Sequence, residues 1–218
     1  MARKDLSGLL QERHGFWYNV FDVLLNVLII VAAVALIRTF LFSPFEVEGM
    51  SMVPTLHDNE YIIINKIGYI VGEPKRGDVV VFHPPEDGQQ ASGKYYVKRI
   101  IGLPGDEVVL RGGKVYVTKA GRDFPLEEPY LDAKNHDHTF RAPVGTGDTT
   151  PEQYVVPEGH YFLLGDNRMG SLDSRSFTDA EGKPMPFVSQ NRISGRVWIV
   201  ALPITKSHAL ETPEYSVE

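Results

Sequence analysis

The sequence predicts a mainly β domain preceded by one N-terminal membrane-spanning helix. Val23 to Ile37 is the only long apolar run in the 218 residues. Short runs rich in β-branched residues recur after it and read as strands. No stretch past residue 45 keeps a long 3.6-residue apolar pattern, so we expect helices there to be few and short. Roughly 175 residues follow the run, enough for a core without disulfide bonds.

The apolar run predicts an uncleaved anchor over residues 22–42, after a polar segment at 1–21. Asn26 is the one polar residue between Val23 and Ile37. About 20 helical residues cover a hydrocarbon core. A cleaved signal peptide and a buried core helix are the alternatives. Cleavage is disfavoured because the small residues Ala33-Val34-Ala35 lie inside the run and not after it.

Charge and cysteine content narrow the partners and the orientation. The net charge is −6 and no basic block exceeds two residues, which argues against a nucleic-acid partner. The chain has no cysteine, so thiol chemistry and cysteine-ligated metals are excluded. Arg3, Lys4 and Arg13 precede the apolar run and outnumber Arg38 behind it, so the positive-inside rule favours a cytoplasmic N-terminus. Residues 43–218 would then form a domain on the outer face.

Strand signals follow the predicted anchor in order, and two segments stand apart from them. The stretch 119–157 is polar and rich in Gly, Pro and Asp, which indicates an insertion or long surface excursion. The tail from Lys206 is polar, and we expect it to be loose. Trp198 either meets a lipid interface or packs in the core. The predicted strands are 61–64, 78–82, 95–101, 107–110, 114–118, 161–164 and 196–202, with a hairpin at Arg111-Gly112-Gly113.

Ser51 is the candidate nucleophile. It lies between Met50 and Met52, shortly after the predicted span. Gly49 permits a tight backbone and Pro54 stiffens the chain beyond it. The second glycine of a nucleophile elbow is missing, and no serine is followed three residues later by lysine. The base must therefore come from elsewhere in the chain, or Ser51 is an ordinary structural serine.

Lys98 is the candidate base. It lies in Tyr95 to Ile101, an otherwise mainly aromatic and aliphatic run with strand alternation. If Lys98 shares the inward face with Tyr96 and Ile100, burial disfavours the ammonium and leaves an amine that can accept a proton. In the alternative, Lys98 points outward and Arg99 is inside, which is costly unless Arg99 has a partner.

A third dense stretch runs from Gly165 to Arg175. It reads either as a polar surface loop or as a loop that supports a site, in which Asp173 pairs with Arg175 and Asp166 pairs with Arg99. His136-Asp137-His138 lacks a third ligand, so we expect a solvated loop and no metal site there. The other histidines have no Asp or Ser at a suggestive spacing, which gives a Ser-His-Asp triad no support.

With these stretches identified, the chain resembles the bacterial type I signal peptidases, membrane-anchored Ser–Lys proteases. The resemblance covers most of the chain from the anchor to about residue 202. It rests on the anchor and on four matching stretches in order, which are Ser51 to Leu56, Gly77 to Phe82, Tyr96 to Asp106, and Gly165 to Arg175. One departure is Gly49, where some members carry a serine whose hydroxyl completes the oxyanion hole.

The resemblance implies a role for each matching residue. Ser51 would be the nucleophile and Lys98 the general base, and Ser171 would hydrogen-bond the lysine amine. The Ser51 N–H would form part of the oxyanion hole, and we expect the Gly49 N–H to be the second donor. The pairs Asp173–Arg175 and Arg99–Asp166 would hold the loop against the site. The apolar substrate pockets would be lined by Phe45, Val47, Met52, Leu56, Tyr96 and Val97.

The implied fold is a catalytic β-domain at 43–218 with a smaller inserted β and loop segment at about 107–158. The implied activity is cleavage of signal peptides from exported preproteins after Ala-x-Ala, without a cofactor or metal. Partners would be preprotein signal peptides and membrane phospholipid, close to the export translocon, at a bacterial inner membrane that the chain crosses once. Alternatives are a membrane-tethered domain that binds peptides without cutting them and a Ser–Lys protease that cleaves itself or a regulatory partner.

Overall fold

The computed structural model describes residues 6–36, 42–85, 93–140 and 152–215. The chain divides into two units, Met1–Phe42 and Ser43–Glu218. The first unit contains helix α1, Leu6–Leu36, whose stretch Gly15–Ala35 is long and apolar enough to cross a membrane. The apolar stretch begins earlier than predicted because Phe16, Trp17 and Phe21 precede the run and are apolar. The predicted end of the span, residues 37–41, lies outside the described residues, and residue 42 already belongs to a strand.

The second unit is built from two antiparallel sheets, as the mainly β prediction requires. The large sheet has the strand order β1-β2-β11-β3-β4-β9-β10, with β12 paired to β11. Its strands are β1 Phe42–Glu46, β2 Tyr61–Asn65, β3 Val79–Phe82, β4 Tyr96–Gly102, β9 His160–Leu164, β10 Val188–Ser189, β11 Ile193–Leu202 and β12 His208–Ala209. Helix α2, Gly68–Val71, and two 3₁₀ turns, Gln190–Arg192 and Ile204–Lys206, complete this part.

The small sheet lies within the predicted insertion and has the order β7-β6-β5-β8. Glycines at 112 and 113 with positive φ make the predicted hairpin turn between β5, which ends at Arg111, and β6, which begins at Lys114. The segment 119–157 is thus more than a loop, because it contributes two of these strands. The strands are β5 Glu107–Arg111, β6 Lys114–Lys119, β7 Arg122–Pro125 and β8 Glu152–Val155.

Apolar side chains of both sheets share one cluster. A second cluster includes Met52 and Leu56, from the turn between β1 and β2 that carries Ser51, and Ile62 of β2. Ile101 and Phe162 of the large sheet pack with Val108 and Val117 of the small sheet. Tyr215 belongs to the same cluster, and β12 pairs with β11, so the prediction of a loose tail was wrong. As far as residue 215, the tail packs on the domain because Leu210 and Tyr215 bury their side chains.

Candidate active site

Ser51 lies in a tight turn between β1 and β2. The Val53 N–H donates to the Met50 carbonyl at 3.2 Å, and the Leu56 N–H donates to the Met52 carbonyl at 3.0 Å. Met52 and Leu56 are fully buried in the cluster beneath the turn, whereas Met50 is exposed. These two apolar side chains hold the turn against the large sheet, and Ser51 itself is half-buried.

Strand β4 carries Lys98 to the Ser51 hydroxyl. Lys98 is 3% exposed, and its Nζ donates to Ser51 Oγ at 2.6 Å and to the Val97 carbonyl at 2.8 Å. Burial lowers the pKa of Lys98 to about 8, although the carboxylates of Asp173 and Asp166 act in the opposite direction. In its neutral form an amine at this distance can accept the hydroxyl proton and so activate the oxygen as a nucleophile.

Arg99, the next residue on β4, is also buried, so both faces of this strand are inside. Its Nε and Nη2 donate to the two carboxylate oxygens of Asp166 at 2.9 and 2.7 Å. The sequence analysis expected either Lys98 or Arg99 to point inward, but both side chains are buried. Burial of Arg99 is possible because its bidentate bond to Asp166 offsets the loss of solvation. The expected pairing of Asp166 with Arg99 is present.

The pair Asp173–Arg175 is present as well. Arg175 Nε and Nη2 donate to the two carboxylate oxygens at 2.8 Å each, and the Gly165 N–H donates to the same carboxylate. Burial alone would raise the pKa of Asp173, but the Arg175 guanidinium and the Gly165 N–H outweigh it and hold the pKa below its usual value. The carboxylate beside Lys98 therefore stays ionised.

The loop 165–175 also fastens the Ser51 turn, through two residues that the sequence prediction missed. The Asn167 N–H donates to the Ser51 carbonyl and its side-chain amide to the Met50 carbonyl, both at 3.0 Å. Thr55 Oγ1 donates to Asp166 at 2.5 Å. The only sequence signal available was position, since Asn167 lies in the polar stretch from Gly165 to Arg175 and Thr55 lies in the stretch that carries Ser51.

Two expected hydrogen bonds are absent. The Ser171 hydroxyl is buried and does not form the expected bond to the lysine amine; it interacts with the Asp173 carboxylate instead and helps to lower the pKa of that group. The Gly49 N–H donates to the Asp58 carboxylate at 2.6 Å and is not free for an oxyanion. The φ of +87° at Gly49 belongs to this tight loop. By contrast, the Ser51 N–H has no partner in the part of the chain that the structure describes.

A cleft of about 570 Å³ opens beside Ser51 and Lys98. Five of the six expected substrate-pocket residues line it, which are Phe45, Val47, Met52, Tyr96 and Val97. Leu56 does not, because its side chain points into the core and is 0% exposed. Charged side chains at the cleft are Glu46, Glu48 and Lys94. The volume of the cleft falls within the usual range for ligand sites, and Ser51 and Lys98 both line it.

His136 and His138 form no metal cluster. His136 lies 3.3 Å from the Asp137 carboxylate, and His138 Nδ1 is 2.8 Å from the His136 carbonyl oxygen. Within the described ranges, no three His, Asp or Glu side chains come together in a way that could hold an ion.

Comparison with known proteins identifies the family. Residues 20–202 match the family described as signal peptidase, peptidase S26. A signal peptidase I of Bacillus licheniformis is 38% identical over 86% of this chain and 91% of its own length. Signal peptidase I U of Bacillus subtilis is 38% identical over 83% of this chain and 87% of its own. A solved signal peptidase I from Enterococcus faecalis V583 is 30% identical, covering 57% of this chain and 96% of its own, with a TM-score of 0.39.

The family match spans more than half of the chain, and the Bacillus relatives correspond to most of it. The chain belongs to the signal peptidase family, peptidase S26, and is a serine peptidase.

Proposed function

We propose that the protein is a membrane-anchored signal peptidase that cleaves exported preproteins after Ala-x-Ala, with Ser51 as nucleophile and Lys98 as general base. The observation that carries this proposal is the 2.6 Å distance between Lys98 Nζ and Ser51 Oγ, with the amine shielded from water. Family membership supports the reaction class. The cleft lined by Phe45, Val47 and Met52 supports a substrate with small apolar side chains.

The reaction starts when an extended signal-peptide segment occupies the cleft, next to the edge strand β1 and the start of β4. Ser51 Oγ attacks the scissile carbonyl carbon while Lys98 takes the hydroxyl proton. The Ser51 N–H donates to the oxyanion, an interaction worth about 3 to 4 kcal/mol per well-placed donor. The ammonium of Lys98 then gives its proton to the leaving amine, and a water activated by the neutral amine hydrolyses the acyl-enzyme.

The membrane arrangement is the second part of the proposal. Helix α1 would span the membrane once, with the residues before Gly15 cytoplasmic and the domain 43–218 on the outer face of a bacterial inner membrane. The length and composition of Gly15–Ala35 support a span. Trp198 is 41% exposed and Leu202 and Ile204 are exposed as well, which supports contact of this region with phospholipid. We infer from the proposed preprotein substrate that the enzyme works near the export translocon.

Cleavage of a preprotein with an Ala-x-Ala site tests the dyad. We expect Ser51→Ala and Lys98→Ala each to lose preprotein cleavage while the far-ultraviolet circular dichroism and melting temperature stay near those of wild type. Lys119→Ala is the matched control, because that lysine is exposed at the end of β6. Retained cleavage in Lys98→Ala would refute the dyad. Preprotein binding without cleavage by the wild-type protein would favour the non-cleaving alternative.

A further inference from the structure

Residues 126–140 lie within the predicted insertion at about 107–158 and are hereafter the inserted segment. They contact the loop 165–175 through Glu128. Arg168 Nη1 and Nη2 donate to the two Glu128 carboxylate oxygens at 3.0 and 2.5 Å, and Nη1 also donates to Thr139 Oγ1 at 2.6 Å. Arg168 is fully buried and Glu128 nearly so. A buried guanidinium that loses such a partner is left uncompensated, so this pair fixes the position of the loop strongly.

Two further bonds join the inserted segment to the same loop. The Met169 N–H donates to Asn135 Oδ1 at 3.4 Å, and Arg175 Nη1 donates to the Phe140 carbonyl at 3.0 Å. Arg175 is the partner of Asp173. The inserted segment therefore holds the loop at several points along its length, including the arginine that pairs with a carboxylate beside Lys98.

Tyr130 extends the network to β4. Its ring lies against the Arg99 guanidinium, 3.7 Å from ring centroid to Cζ, and its hydroxyl donates to Glu128 at 2.8 Å. Arg99 follows Lys98 directly and pairs with Asp166. One continuous set of contacts thus runs from Glu128 through Tyr130 and Arg99 to the backbone that carries Lys98.

We propose that the inserted segment positions the active site, with Glu128 and Tyr130 as positioning residues that keep the loop 165–175 closed over Lys98. The closed loop excludes water from the amine and holds the Ser51 turn through Asn167. This inference rests on the proposed function, because it assigns a task to residues that would act through the base. Neither residue touches the cleft.

The charged surroundings of Lys98 set the sign of the expected effect. The carboxylates of Asp173 and Asp166 act on the amine from the loop, each already paired with an arginine. The other charged groups around the cleft are Glu46, Glu48 and Lys94. If the loop loosens, water reaches the amine and its pKa rises. Loss of the Glu128 charge without loosening would instead lower that pKa.

The test is the pH dependence of kcat/KM for cleavage of an Ala-x-Ala preprotein by the full chain in detergent. For Glu128→Gln we expect the acid limb to move upward by about one pH unit and kcat/KM at pH 7 to fall roughly tenfold, with recovery at alkaline pH. Because substrate contacts are intact, KM should stay near the wild-type value. Asp123→Asn is the control, since it removes a carboxylate from an exposed pair with Arg111 on the same small sheet.

Tyr130 supplies an independent pair of variants. Tyr130→Phe keeps the ring over Arg99, and we expect a smaller upward shift than in Tyr130→Leu, which removes the ring. If Glu128→Gln does not fold, this pair decides the test, and equal midpoints in the two variants overturn the proposal. A lower melting temperature with an unmoved acid limb, or a downward shift in Glu128→Gln, overturns it as well.

The wild-type profile separates the two hypotheses. An acid limb that is absent from the wild-type profile, or cleavage by Lys98→Ala, defeats the dyad itself. A wild-type limb that Glu128→Gln and Tyr130→Leu leave in place defeats only the positioning role of the inserted segment.

Discussion

At the scale of single residues, the proposed mechanism requires Lys98 Nζ to be free of its extra proton before Ser51 can react. With a pKa of about 8, about a tenth of the amine is neutral at pH 7. Because the pKa is lowered, the neutral fraction of the amine rises within the range from pH 6 to pH 9. We therefore expect kcat/KM to increase roughly tenfold from pH 6 to 7 and to level off above pH 9, measured on a preprotein substrate. A rate that is flat across this range would contradict a role for Lys98 as base.

Gly165 is the second residue with a sharp expectation. A Cβ there would lie 2.1 Å from Ser171 Oγ and 2.5 Å from the Ser51 carbonyl oxygen, so a methyl group must displace the Ser51 turn. We expect Gly165→Ala to lower kcat about a hundredfold, because a shift near 1 Å in a reacting group has a cost of that order. In Gly68→Ala the new methyl meets ordinary contacts at 3.8 Å, so its kcat should match wild type. Equal kcat values in the two variants would contradict this packing argument.

Sequence patterns predicted some residues of the candidate site correctly and others wrongly. Ser51 and Lys98 were found from local composition and from the resemblance, and the structure brings them together. The Leu56 and Gly49 predictions failed because orientation within a turn depends on contacts with the core and with Asp58, which sequence spacing does not encode. Asn167 was missed since its bonds go to backbone carbonyls more than a hundred residues away.

At the scale of elements, β-branched runs and turn residues predicted most of the strands, whereas two strands of the small sheet form only through pairing with their neighbours. The runs at 61–64, 107–110 and 114–118 became β2, β5 and β6 with nearly the predicted bounds, because their β-branched residues and glycine turn act locally. β7 and β8 were read as loop. They are short and polar, and only pairing with β6 and β5 makes them strands.

At the scale of the whole molecule, the C-terminal tail closes the shared core. Tyr215 packs against Gly77, and its hydroxyl lies 3.4 Å from that of Tyr130. We expect Tyr215→Ala to lower the free energy of unfolding by about 3 kcal/mol in urea titrations of the full chain in detergent, since it removes a buried aromatic ring. Ile204→Ala, at a highly exposed position, should change it by less than about 0.5 kcal/mol. Similar losses in both variants would contradict a core role for the tail.

The two walls of the cleft differ in how freely they can diverge. β4 supplies one wall, and its neighbouring residues Lys98 and Arg99 are both buried and bonded to Ser51 and Asp166, so a substitution there that suits a new peptide also disturbs those bonds. The facing wall, Phe45 to Glu48, begins in β1 at the margin of the large sheet and has no neighbouring strand on its far side in the described sheet. Under the proposed function, relatives that cleave different preproteins should accordingly differ mainly in that outer wall, while β4 changes little.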